Sequence, residues 1–281
     1  MATIQVPGQM PGQVPARVPA VPPPRADQAQ PGGQAQPGGP RWRAAELIAG
    51  RAENPHTRTL TFDVPGWPGH LPGQHVDVRV TGDDGYQASR SYSLAAPASG
   101  DRVELTVQRL RDGEVSPYLV DAMPAGASLQ ILGPAGGWFV APPAGAPDPV
   151  LLIAGGIGIV PLMAMLRARR GAGGTAPVRL LYSLRSPEWL CYASELRGDP
   201  AVTVAYTRLA PLGHPRPAAR LTAAEISARG LDPADEPVCY VCGPNGFVDA
   251  MTAMLTRLGH DPARIRTERF AASAGLALTR T

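Results

Sequence analysis

The chain has 281 residues, of which 44% are hydrophobic and 17% charged; this suits a soluble enzyme with a sizeable core, and the length suits about two domains. Twenty-six basic against 23 acidic residues leave a formal charge of +3, too little for a nucleic-acid-binding face, so no nucleic acid is expected as a partner. Three cysteines, Cys191, Cys239 and Cys242, are an odd number in a long chain and imply no disulfide framework. Residues 1–40 hold ten prolines, six glycines and seven glutamines beside only Arg17, Arg25 and Asp27 as charges. Such a segment buries too little apolar surface to offset its ordering entropy and reads as a disordered tail. Its first twenty residues lack a basic start followed by an apolar run, so no signal peptide is expected and the working location is the cytoplasm.

From residue 42 to 140 short alternating segments are punctuated by turn residues such as Pro65, Gly66, Pro72, Gly73, Asp84 and Gly85. Ala45–Ala49, Thr57–Val64, His75–Val80, Ser91–Leu94, Val103–Arg109 and Ser128–Leu132 read as six strands of an antiparallel barrel or sandwich. One helix, Val115 to Ala122, interrupts them and is closed by Pro124. The Pro-rich run 141–149 is the natural boundary, giving units 41–142 and 143–281. Beyond it, strands Val150–Ala154, Val178–Ser183, Val202–Tyr206, Val238–Cys242 and Arg264–Arg269 alternate with helices Pro161–Arg170, Glu188–Arg197 and Gly243–Leu258. A looser stretch follows Tyr206. The alternation predicts an α/β unit with a parallel sheet covered on both faces. Residues 149–166 carry no charge, the lower edge of transmembrane length, yet Gly155, Gly156, Gly158 and Pro161 break them. They read as a buried strand, a glycine turn and a helix, and no membrane span is expected.

Four constellations carry chemistry. On a strand, Arg90 and Tyr92 share one face and Ser91 and Ser93 the other. Alone, the first two read more readily as a cross-strand surface pair than as a ligand site. Ser116 followed by Pro117 reads as an N-cap with proline at the first helical position, where free N–H groups can hold a phosphate and Gly113 allows close approach. The run from Ile153 through Gly155, Gly156, Ile157 and Gly158 to Pro161 is a strand, glycine loop and helix of the kind that cradles pyrophosphate. It is neither G-x-G-x-x-G, since Pro161 takes the last position, nor a P-loop. Finally, Cys239 and Cys242 lie three apart on a strand and face opposite ways, so neither a redox pair nor a zinc site is expected, and no metal. Cys242 at the strand's carboxyl end sits where ligands bind in open α/β sheets.

In this order these motifs, over residues 42–270, resemble the ferredoxin–NADP reductase family, in particular its bacterial oxygenase-type reductases. The resemblance implies a flavin-binding barrel followed by a nicotinamide-binding α/β domain. It implies hydride transfer from NAD(P)H to FAD, then electrons to a separate acceptor such as a ferredoxin or oxygenase component. FMN in place of FAD, a small-molecule acceptor, and a non-catalytic subunit of the same fold are the alternatives. By that likeness Arg90 pairs with the flavin phosphate, Tyr92 packs on the ring and Ser93 bonds near its reactive nitrogen, which requires a twist or bulge. Val107 and Arg109 line the ribityl and phosphate groups; Gly113, Val115 and Ser116 form a second phosphate segment. Gly155, Gly156, Ile157, Gly158 and Pro161 form the nicotinamide-dinucleotide loop, with Ile157 where threonine is usual. Cys242, Gly243 and Pro244 lie beside the nicotinamide, and Glu268 and Phe270 close over the flavin, with Ala271 where glycine is common. Ser93, Cys242 and Glu268 form the reaction centre, though Glu268 reads equally as a surface carboxylate. Ser183 and Arg185 mark the 2′-phosphate position, favouring NADPH over NADH, and Tyr192 flanks the adenine. Three cysteines do not make the C-x4-C-x2-C…C set of a plant-type iron–sulfur domain.

Overall fold

Apolar residues at every second position make the segment after residue 41 a series of half-buried strands. The computed structural model describes residues 41–82, 84–143, 145–173 and 175–270; the tail reading and Ala271 lie outside them. Strands β1 (Trp42–Asn54), β2 (Thr57–Asp63), β3 (His75–Thr81), β4 (Gln87–Ser93), β5 (Arg102–Gln108) and β6 (Ser128–Ala135) form one antiparallel sheet. Its order is β4-β3-β6-β1-β2-β5, and a bridge between Leu94 and Leu105 joins the two edges into a barrel. Leu47, Leu60, Phe62, Val76, Val78, Leu105 and Ile131 fill the interior.

Between β5 and β6 the expected single helix is two pieces, the short α1 (Val115–Pro117) and a π turn over Tyr118–Ala122. The amide of Met123 reaches back to the Tyr118 carbonyl at 2.8 Å, and Met123 is held extended before Pro124. Ser116 is not the cap: Glu114 takes that position, and the Ser116 hydroxyl instead accepts from the Leu110 amide at 3.1 Å.

The second sheet contains β7 (Val150–Gly155), β8 (Val178–Leu184), β9 (Val202–Tyr206), β10 (Val238–Gly243) and β11 (Ile265–Arg269), all parallel, in the order β11-β10-β7-β8-β9. Every residue of β7 and β10 is buried, as a central strand covered on both faces requires. Alternate residues feed two cores. Leu152, Ala154, Tyr182, Tyr240 and Cys242 pack with helix α2 (Ile159–Gly171). Leu151, Ile153, Leu181, Cys239 and Val241 pack on the other face with Ile226, Val248, Met251 and Leu255. Ala95 and Phe139, from the barrel side, belong to the α2 core and join the two sheets.

Four helical stretches depart from the sequence reading. α2 begins two residues before Pro161, which sits in the first turn where a missing N–H leaves no bond unmade. The stretch 188–197 is a 3-10 turn (Pro187–Trp189) and a four-residue α3 (Ala193–Leu196), because Tyr192 takes the left-handed conformation at φ 57°. α4 (Ala223–Arg229) lies in the stretch read as loose, and α5 (Asn245–Arg257) starts after Pro244 rather than at Gly243.

Candidate active site

β7 and β10 are neighbours, but the chain leaves β7 for β8 on one side while β10 and β11 extend the other. The crevice at their carboxyl ends is a topological switch point, the usual ligand position of an open parallel sheet. The glycine run lies there. Gly155 ends β7, Gly156 to Gly158 form a 3-10 turn, and α2 follows. Gly156 has φ +56° with open space around it, so the turn needs a residue without a side chain. A Cβ on Gly155 would come within 2.6 Å of the Phe247 ring, and one on Gly158 would collide with the Cys242 carbonyl. Ile157 is half-buried and Pro161 buried.

Across this loop, Cys242 is fully buried and its parallel-ladder partner on β11 is Glu268. The thiol lies 3.8 Å from the Glu268 carboxylate. Burial pushes the Glu268 carboxyl up to about 7, against the lowering effect of the thiol bond. Burial, and the carboxylate beside it, push the Cys242 thiol well above its ordinary value. Gly243 follows at φ +156° with its Cα-side space filled by Phe247 and Gly155, Pro244 caps α5, and the Phe270 amide bonds the Gly243 carbonyl at 3.0 Å. Phe270 itself packs against the α2 core. Ser183 is buried at the end of β8, and Arg185 beyond it is exposed, its guanidinium 6.0 Å from the Trp189 ring.

On the barrel, Arg90 and Tyr92 do share a face: the Tyr92 ring packs against the barrel core, and burial, partly offset by Arg90, raises its hydroxyl pKa. Arg90 donates to the Ser89 carbonyl at 2.6 Å and pairs with Glu114 at 3.1 Å, which also accepts from the Tyr86 hydroxyl. Ser93 is buried at the end of β4 opposite His75. The ladder from β4 to β3 has no register shift, so no bulge turns Tyr92 and Ser93 toward one side. Arg109 is exposed and lies 3.5 Å from Asp121.

Several expectations need correction. Val107 and Val115 pack into the barrel core, the Ser116 hydroxyl accepts from the Leu110 amide, and all three residues are buried, so their side chains do not line a ligand surface. Gly113 is turned toward this loop, its amide bonding the Leu110 carbonyl at 3.2 Å. Tyr192 cannot flank an adenine: it is fully buried and its hydroxyl donates to Thr106 on β5 at 2.7 Å. Two groups escaped the sequence reading. Glu114 occupies the Arg90 fork, and Arg167 on α2 bonds Glu104 and Glu195; its one signal was being the first charge after eighteen uncharged positions. Among the described residues no three His, Cys, Asp or Glu cluster to hold a metal ion, and no helix is long and apolar enough to cross a membrane.

The family model described as the oxidoreductase FAD-binding domain matches residues 44–139. Ferredoxin–NADP reductase B of Sorangium cellulosum is 32% identical over 241 residues, covering 80% of this chain and 96% of that protein. The ferredoxin reductase component of 3-ketosteroid-9-alpha-monooxygenase from Rhodococcus rhodochrous is 31% identical over 229 residues, or 79% of this chain and 63% of its own length. The electron transfer component of toluate 1,2-dioxygenase from Pseudomonas putida is 29% identical, with 73% of this chain and 60% of that protein covered. The match thus spans less than two thirds of these two oxygenase components. Among solved structures, the ferredoxin reductase of carbazole 1,9a-dioxygenase superposes with a TM-score of 0.70 at 25% identity, covering 83% of this chain and 70% of that one. The flavohem-like FAD/NAD-binding domain of nitric oxide dioxygenase from Vibrio cholerae gives 0.68 at 26% identity, covering 81% and 98%. A barrel carrying an FAD-binding match, a parallel sheet with its glycine loop at the switch point, and near-complete coverage of a reductase at 32% identity place this chain in the ferredoxin–NADP reductase family.

Proposed function

We propose that this chain is a flavin-dependent NAD(P)H reductase, with the barrel as its flavin unit and the parallel-sheet unit as its nicotinamide unit, which passes electrons to a separate redox protein. The observation carrying this reading is the placement of a buried thiol 3.8 Å from a carboxylate at the sheet's switch point, beside a glycine loop. The donor set of the barrel suits FAD: two arginines, Arg90 and Arg109, present cations at the rim, and the Tyr92 ring lies on the same strand face as Arg90. Both arginines are bonded to exposed carboxylates, partners that a phosphate can replace with little loss. When bound, FAD supplies two-electron uptake from a nicotinamide and one-electron release to an acceptor.

The residues around it have separable tasks. The glycine turn keeps side chains away from the amides that open α2, so a pyrophosphate can approach the positive end of a thirteen-residue helix. Cys242 and Gly243 form a closely packed floor beside the nicotinamide position. Glu268, with its carboxyl near 7, can hold or yield a proton at its Oε2 at neutral pH. Ser183 and Arg185 at the end of β8 favour a 2′-phosphate, hence NADPH over NADH. The names of the relatives point to a ferredoxin or an oxygenase component as acceptor.

Purified protein tests the reading directly. It is expected to be yellow and to bleach on anaerobic addition of NADPH, and more slowly of NADH. Colourless protein that takes up no FAD, or yellow protein that neither nucleotide bleaches, would overturn it.

A further inference from the structure

A polar network crosses from the parallel-sheet unit into the barrel. Tyr192 enters it at two points. Its amide donates to Glu53 at 2.8 Å, and its hydroxyl donates to Thr106 at 2.7 Å. Thr106 is 2.8 Å from the Thr59 hydroxyl, which donates to the other Glu53 oxygen at 2.7 Å. The circuit therefore closes on one carboxylate, whose side chain is only 4% exposed and which also meets Arg51 at 2.7 Å. Around it, Asn54 donates to the Cys191 sulfur at 3.4 Å, and the His56 and Trp189 rings stack at 4.3 Å. Arg167 forms the second crossing. It holds Glu195 with two bonds of 2.9 and 2.5 Å, and its remaining nitrogen reaches Glu104 at 2.5 Å and the Ala95 carbonyl at 2.9 Å. Its guanidinium also lies 5.0 Å from the Tyr192 ring centre.

Tyr192 keeps a left-handed backbone at φ 57°, a conformation that a residue with a side chain holds only where its surroundings over-determine it. Here the surroundings that do so belong partly to the other unit. Both crossings also start from elements of the proposed site. Arg167 is on α2, the helix opened by the glycine loop, and its acceptor Ala95 follows Ser93 closely in the chain. Tyr192 lies on the connection that leaves β8 through Ser183 and Arg185. Apolar contact alone tolerates sliding, whereas these directional bonds admit one register.

We propose that Tyr192 and Arg167 are positioning residues for hydride transfer, a two-point clamp that fixes the nicotinamide unit against the barrel. The proposal rests on the reductase reading, because the geometry it protects is the approach of two rings held by different units. Misplacement of reacting atoms by about 1 Å can cost up to about 100-fold in rate without touching affinity.

The test uses the flavin-loaded full chain. In stopped-flow mixing with NADPH, Arg167→Met is expected to lower the limiting rate of flavin reduction, per bound flavin, by about tenfold or more, with nucleotide affinity held within about twofold. Arg167→Lys, a point charge without the fork, should recover part of the loss, and Tyr192→Phe, which removes only the hydroxyl, should show a smaller one. Independently of turnover, hydrogen exchange of the purified variants should rise in segments 53–57 and 189–196 by more than the rise in β7 and β10 that a loss of global stability brings. Wild-type limiting rates and wild-type exchange in Arg167→Met and Tyr192→Phe together would overturn the clamp. If the wild-type protein itself is not reduced while exchange rises in the variants, the reductase reading falls and the interdomain lock stands.

Discussion

Arg90 and Arg167 are both bonded to glutamate, yet they sit in different settings. The Arg90 pair lies on the barrel rim with side chains 27% and 50% exposed, one carboxylate at 3.1 Å beside a bond to the adjacent Ser89 carbonyl. Arg167 lies between the units, 17% exposed, and bonds two carboxylates and a backbone carbonyl at once. Burial alone would lower its pKa, but the bonds to Glu195 and Glu104 outweigh that and raise it. An exposed pair adds from nothing to about 1 kcal/mol, so its partner can be exchanged for a ligand. A half-buried fork is different, because removing the cation strands its carboxylates. The same two residue types thus make a replaceable contact in one place and a fixed joint in the other.

The contrast can be broken by measurement. Arg167→Met should have the largest effect, lowering unfolding free energy by about 3 kcal/mol in urea titrations, since Glu104 and Glu195 lose their shared partner. A loss no greater than that of an exposed pair would erase the distinction. Arg90→Ala should leave stability nearly unchanged but weaken FAD retention by about 2 kcal/mol, roughly 30-fold in Kd by equilibrium dialysis. Equal affinity would remove Arg90 from the phosphate position.

Glu268 adds a pH dimension. Its folded-state pKa, about 7, stands above the ordinary carboxylate value because of burial. The stability contributed by its neutral form is therefore complete below the ordinary value and is lost as pH rises through about 7. Glu268→Gln should flatten that slope, worth at most about 3 kcal/mol, and flatten the pH profile of flavin reduction near neutrality. A profile identical to wild type would leave the carboxyl without a role in proton handling. Arg185→Ala should raise KM for NADPH several-fold more than KM for NADH, about 1 kcal/mol of discrimination. Smallest of all, Glu114→Gln should change stability by less than about 0.5 kcal/mol while tightening FAD binding slightly, because it frees the Arg90 fork.

Much of the architecture was legible in the sequence because it is written at short range. Alternation over 42–135, the strand and helix rhythm after Val150, and the opposite-facing Cys239 and Cys242 all follow from periods of two and 3.6. α4 was legible and passed over: Thr222 and Glu225 form a capping box, each side chain bonding the other's backbone amide, and that spacing is visible in the residues themselves. Tyr192 was not legible. A tyrosine at a left-handed position has no local signal, and its bonding partners Glu53 and Thr106 come from 139 and 86 positions away in the chain. The same distance hid the outcome at Arg90, whose partner Glu114 arrives from the loop after β5. Ser116 misled for a local reason, since a serine before proline is an N-cap by type but here its hydroxyl closes the loop back to Leu110.

Cys239 and Cys242 share one strand and open onto separate cores, and Cys191 is buried elsewhere. A bond between the first two would have to pass through the sheet, so oxidative damage cannot be recorded there as an internal crosslink. Burial has also raised all three thiols, Cys191 to about 11 and Cys239 to about 12, leaving little thiolate for peroxide to attack. On the proposed reductase reading, the protein's own sulfur thereby stays out of reach of oxidants that a reduced flavin can generate.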